Sequence, residues 1–147
     1  MDEPQRKAYH EAAHAVAWVQ FQGVFEYVTI LRDSEYEGRV KWTERPLDKR
    51  KDIILCLAGY AADIKVSPES ESSARNGARD DFAEAEFSSQ LINVRYSEAD
   101  WMPLARRFVD ENWKAVTAVA AELLRRGTLS SREVERLVRM ADGRENV

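Results

Sequence analysis

The chain contains two histidines, His10 and His14, set four residues apart with Glu11 directly after the first, in the run Tyr9-His10-Glu11-Ala12-Ala13-His14-Ala15-Val16. This HExxH spacing constrains the local fold more than any other feature. In a helix, residues i and i+4 stand one above the other on one face, roughly 5 to 6 Å apart at Cβ, so that two imidazoles can share one zinc ion. Glu11 follows His10 by about 100° of turn, which puts its carboxylate beside such an ion and not on it. There it can take a proton from a water that the metal activates. The plain alternative is a surface or core helix carrying two histidines without a ligand role.

A length of 147 residues suits a single domain, 1–147, with a hydrophobic core large enough to need no disulfide. The net charge of −4 argues against a nucleic-acid footprint, and the basic clusters Lys49-Arg50-Lys51, Arg106-Arg107 and Arg125-Arg126 are interspersed with acids. One cysteine, Cys56, excludes an internal disulfide and a cysteine-rich zinc site. It lies in the apolar run Ile53-Ile54-Leu55-Cys56-Leu57-Ala58, where a buried inert thiol is expected. The chain opens polar, at Asp2-Glu3-Pro4-Gln5-Arg6-Lys7, and no stretch approaches the roughly 20 apolar residues of a membrane span. A soluble cytoplasmic protein without membrane or nucleic-acid partners is the expectation.

Periodicity predicts a mainly α (α+β) fold of five helices with one small β-hairpin or sheet between the first two. The first helix is expected over Pro4 to Phe21, with Tyr9, Ala12, Ala13, Val16, Ala17 and Val19 on a broad apolar face and Gly23 as its stop. Phe25 to Leu31 and Arg39 to Thr43 read as two short paired strands around the turn-forming Asp33 to Gly38. A second helix follows from Leu47 to Val66, then a mobile surface loop from Ser67 to Asn76 closed by Gly77. A third helix spans Arg79 to Val94. A long fourth runs from Ser97 or Pro103 to Arg126, with Ser97 and Asp100 as a capping pair and Gly127 as its stop. Ser130 and Glu133 form another capping pair, opening a short fifth helix that ends near Met140.

A catalytic zinc site takes three protein ligands and leaves a fourth position for water. Position 17 is Ala and position 20 is Gln, so the HExxHxxGxxH extension is absent, and no third histidine exists. The remaining ligand must be a carboxylate. Among 26 acidic residues, Asp63 at the end of the second helix and the pair Asp80-Asp81 at the start of the third stand out, and spacing leaves all three open.

Several segments together resemble one family. Ala8-Tyr9-His10-Glu11-Ala12-Ala13-His14-Ala15-Val16 is similar to the HEAGHA helix of the FtsH-type zinc metalloproteases, the peptidase half of ATP-dependent membrane proteases. Leu57-Ala58-Gly59-Tyr60-Ala61-Ala62-Asp63 resembles that family's LAGRxAE segment, and Gly77-Ala78-Arg79-Asp80-Asp81-Phe82-Ala83-Glu84-Ala85 its GAxNDLxxAT segment, in the same order and at similar separation. Near the C-terminus, Glu122-Leu123-Leu124 with Gly127-Thr128-Leu129-Ser130 resembles the family's late helix and the leucine-bearing turn after it. The resemblance implies a zincin-like peptidase domain whose metal ligands are His10, His14 and Asp81, with Asp63 the runner-up for the third. It implies Zn2+ as cofactor, Glu11 as general base, and peptides or unfolded polypeptides as substrate.

Three departures qualify the resemblance. Ala13 stands where the family has Gly, and Asp80 where it usually has Asn, adding an acid beside the expected ligand. There is also no GxxxxGK[ST] phosphate-binding loop and no apolar anchor, so the resemblance covers the peptidase half. A separate ATPase would then deliver folded substrates, and a homo-oligomeric ring is compatible with the family but not required. The leading expectation is a zinc-dependent endopeptidase in which an extended substrate adds to an edge of the small sheet. The rivals are a catalytically silent module that keeps the fold and binds metal or peptide, and a closed structural zinc site completed by both Asp63 and Asp81.

Overall fold

The computed structural model describes residues 1–143, and the last four residues of the expected 1–147 domain lie outside the described residues. Helix α1 (Glu3–Gln20) starts at Asp2, whose carboxylate accepts from Gln5 N while the Gln5 side chain accepts from Asp2 N, and Pro4 occupies the first turn. Five alanines of α1, at positions 8, 12, 13, 15 and 17, are fully buried. Ala13 among them is accommodated in the core. Past Phe21 the chain turns through Gln22, at φ 62°, into strand β1 (Val24–Thr29).

Strand β2 (Arg39–Glu44) pairs antiparallel with β1. Helix α2 (Lys49–Val66) follows, capped by Asp48, whose carboxylate accepts from Arg50 N and Lys51 N. Its buried residues run from Asp52 through Asp63 on nearly every side, because it packs against α1 and against two later helices, α4 (Arg79–Leu91) and α5 (Glu98–Glu111). A helix that is apolar all round belongs at the centre of a fold. α2 is that central helix, and both faces of the site described below lean on it.

Four expectations are corrected. The segment from Ser67 to Asn76 is not an irregular loop: it forms a 3-10 turn (Pro68–Ser70) and helix α3 (Glu71–Gly77). The polar composition of α3 is that of a helix with no buried residue, tied to α5 through its own Arg75, whose guanidinium grips Glu98 at 3.0 and 2.6 Å. The long helix expected to reach Arg126 is two, α5 and α6 (Trp113–Arg126), broken at Asn112. The Asn112 amide donates to Phe108 O and accepts from Gln20 Nε2, so the break lets α5 pack on α2 and α6 on α1. Ser97 makes no side-chain cap at the start of α5, where its carbonyl accepts from Asp100 N and Trp101 N instead.

The fourth correction concerns the sheet. After α6, Gly127 adopts φ 84°, and Thr128–Ser130 form strand β3, which pairs antiparallel with β1. The sheet therefore has three strands in the order β2-β1-β3. Ser130 then caps helix α7 (Ser131–Ala141) in the expected capping box with Glu133. The chain is mainly helical, with seven α-helices among the described residues where five were expected.

Candidate metal centre

The i, i+4 spacing on α1 brings the His10 and His14 Nε2 atoms to 3.2 Å from each other. From the first turn of α4, Asp81 Oδ2 reaches 3.1 Å from both. Two contacts aim that turn. Ala78, just before α4, is fully buried, and Phe82 packs edge-on against Tyr60 of α2 with ring centroids 5.0 Å apart. With Phe82 seated on α2, its neighbour Asp81 is turned towards the histidines. Asp80 is exposed and outside the converging set.

The other ring nitrogens determine the electronic state of the cluster. His14 Nδ1 lies 2.9 Å from Leu55 O, a carbonyl that only accepts, so Nδ1 carries the proton and the Nε2 of the neutral ring presents a lone pair. His10 Nδ1 donates to Asp63 Oδ2 at 2.7 Å, with the same consequence. Two nitrogen lone pairs and a carboxylate oxygen thus converge in a largely buried space, which is unfavourable without a positive charge between them. Two imidazole nitrogens and one carboxylate oxygen form a donor set that suits zinc, and the backing carboxylate and carbonyl orient the rings as outer partners of metal-bound histidines do. The residues fit a metal ion.

Electrostatics carry the same message. Burial alone would lower both imidazoles, but the Asp63 and Asp81 carboxylates hold His10 well above its ordinary value, and Asp81 raises His14. Burial would raise Asp81, and the two imidazoles more than offset this, keeping its carboxyl well below the usual carboxylate range. The cluster draws in positive charge, as protons or as a metal. Asp63 is brought to the back of His10 and not into the converging set, whereas Asp81 is in it.

Glu11 is buried at 9% exposure and lines the same cleft, and its carboxylate has no hydrogen-bond or ion-pair partner among the described residues. Burial raises its pKa. An unengaged carboxylate beside a cation site is free to exchange a proton with whatever enters. The cleft is walled on one side by the β1–β2 connection and β2, through Tyr36, Val40 and Trp42, and on the other by α3, through Ser73 and Ala74.

No protein-family model matches the chain, and no curated protein does. The site's chemistry therefore rests on its own residues. Among the described residues, no helix is long and apolar enough to cross a membrane.

One contributor has no chemical group to reveal it in the sequence. Gly59 of α2 faces the two histidines so closely that a Cβ there would lie 2.4 Å from His14 Nε2 and 2.7 Å from His10 Nε2. A helical glycine costs about 1 kcal/mol relative to alanine, and such a residue inside a central helix points to a close approach that needs it.

Proposed function

We propose that the chain is a zinc-dependent metallopeptidase with a zincin-like, FtsH-type site that hydrolyses peptides or unfolded polypeptides. The observation that carries this reading is the convergence of His10 Nε2, His14 Nε2 and Asp81 Oδ2, with the unengaged Glu11 carboxylate in the same cleft. His10, His14 and Asp81 would hold the ion. Zinc, when bound, supplies a Lewis acid that polarises a carbonyl and brings the pKa of a water to about 7.

The chain's own groups supply the rest. A Glu11 carboxylate oxygen accepts the proton of the attacking water and returns it to the amine nitrogen of the departing product. Asp63 and Leu55 O, by accepting from the Nδ1–H of His10 and His14, keep both Nε2 atoms turned inward through this exchange. Among the described residues β2 has β1 as its one partner strand, and its residues Arg39 to Trp42 line the cleft, so an extended substrate can add its backbone there. Such addition requires a strand-like, unfolded substrate. Folded proteins would have to be opened first, by a separate ATPase.

The test is zinc content and peptide cleavage measured together in the wild-type chain, Glu11→Gln and His14→Ala. The proposal expects Glu11→Gln to retain stoichiometric zinc and lose cleavage by at least a hundredfold, and His14→Ala to lose both. Equal cleavage by wild type and Glu11→Gln would overturn it. A wild-type chain that holds zinc and cleaves nothing would instead identify a silent binding module.

A further inference from the structure

His10, His14 and Trp18 recur at four-residue spacing on α1, so Trp18 lies one turn, about 6 Å, along the helix from the second histidine. Trp18 is 4% exposed and donates through Nε1 to Glu44 O at the end of β2. Against it lies Trp42 of β2, with ring centroids 6.3 Å apart and planes inclined by 24°. Trp42 is 44% exposed and lines the same cleft as the metal donors. A tryptophan on the wall of a cleft, braced from behind by a buried one, leaves a large apolar surface uncovered beside the chemistry.

Arg45 sets the electrostatic character of this corner. Its Cζ stands 5.3 Å from the Trp18 ring and 5.2 Å from the Trp42 ring, so the guanidinium is held against both indoles. It is not a receptor for a substrate carboxylate. Its Nε and Nη2 donate to the buried Asp52 at 2.8 to 3.1 Å, and its Nη1 to Glu84 at 3.3 Å. Lys49 also pairs with Asp52 at 3.3 Å. Two cations and two carboxylates cancel, and the corner has no net charge to offer an ionic side chain. What it offers is a rigid aromatic face.

We propose that the Trp42 face, backed by Trp18 and Arg45, is a subsite for an aromatic side chain of the substrate, in the same cleft as the bond to be cleaved. This rests on the metallopeptidase reading for the word substrate, although the binding surface itself does not. An aromatic ring packed on tryptophan gains dispersion and quadrupole attraction that a methyl group does not. The expected preference for phenylalanine over alanine is roughly tenfold in affinity.

The experiment separates the two claims. Isothermal titration of the 147-residue Glu11→Gln chain, in the presence of zinc, compares a blocked extended hexapeptide with a central Phe and the same peptide with Ala. The Phe peptide should bind roughly tenfold more tightly, Trp42→Ala in the same background should abolish the difference, and Trp42→Phe should restore most of it. Circular dichroism confirms that each variant is folded. Equal binding of the two peptides, no binding of either, or a Phe preference unmoved by Trp42→Ala would overturn the subsite. Cleavage by the wild-type chain is scored separately. A Trp42-dependent Phe preference without cleavage keeps the subsite and overturns the peptidase reading, and cleavage indifferent to Phe does the reverse.

Discussion

Gly59 on α2 and His14 on α1 meet with no room for a side chain between them, since a Cβ at position 59 would stand 2.4 Å from His14 Nε2. The imidazoles cannot swing aside freely. His14 is held by Leu55 O and His10 by Asp63, both on the same helix as Gly59. Gly59→Ala should therefore have opposite effects on site and fold. Alanine is the better helix former by about 1 kcal/mol, so helix content and the melting transition should be kept. Zinc content, measured by mass spectrometry of the purified chain, should drop at least tenfold, because the ring displacement breaks the donor convergence. Full zinc occupancy in a folded Gly59→Ala chain would refute the close approach.

Asp63 and Asp81 are both carboxylates at the histidines, but they meet different nitrogens. Asp81 Oδ2 faces both Nε2 atoms, and Asp63 Oδ2 takes the Nδ1–H of His10. Asp81→Ala should abolish stoichiometric zinc, whereas Asp63→Ala should leave a site weakened by roughly 10- to 100-fold, the usual effect of removing an outer partner. Competition with a chelator of known affinity measures both. The opposite ranking would make Asp63 the ligand.

Asp52 is fully buried in the first turn of α2 and is neutralised mainly by Arg45, with Lys49 at 3.3 Å and Ser88 Oγ at 3.4 Å. Arg45→Ala strands a carboxylate inside the fold. Breaking a buried pair from one side costs about 3 to 5 kcal/mol, and the remaining Lys49 contact puts the expectation near the lower bound, about 3 kcal/mol. Urea unfolding measures it. The double variant Arg45→Met with Asp52→Leu should recover most of the loss, because the charges that lose a partner, Lys49 and Glu84, are partly exposed and no buried charge is left unpaired.

How far these arrangements could be read from the chain depends on their physical carrier. The HExxH spacing is local to one helix, so His10, Glu11 and His14 came together as the pitch demands. The Ser130 and Glu133 cap is local too and formed as expected. Asp63, Asp80 and Asp81 could not be told apart by spacing, because their roles depend on how α4 rotates against α2, which the Phe82–Tyr60 contact sets. The break at Asn112 was hidden because the apolar pattern continues through it, and only the Gln20 contact shows why the chain turns there. β3 is three residues long, too short to display alternation, and is a strand because β1 has a free edge beside it. Gly59 acts by lacking an atom, and pattern reading follows atoms that are present.

Cys56 gives a prediction in pH. Burial pushes its thiol well above the ordinary value, by more than the Arg45 guanidinium 3.1 Å from Sγ pulls it down, and Asp52 adds to the rise. The folded chain therefore keeps this proton where the unfolded chain, with a thiol pKa near about 8.5, gives it up. Above that pH the unfolded state binds fewer protons than the folded state, so unfolding free energy falls as pH rises, by up to about 1.4 kcal/mol per pH unit for one group. Below it the contribution is fully present. Urea titrations at pH 7, 8.5 and 10 should show a steeper loss in the wild-type chain than in Cys56→Ala, which removes this group and leaves all others to titrate in common. Iodoacetamide at pH 7.5 should label the native thiol at least a hundredfold more slowly than the urea-unfolded one, since the reactive thiolate is both suppressed and enclosed. Comparable labelling rates for native and unfolded chains would show an accessible thiolate, and with it an open cleft floor beside Leu55.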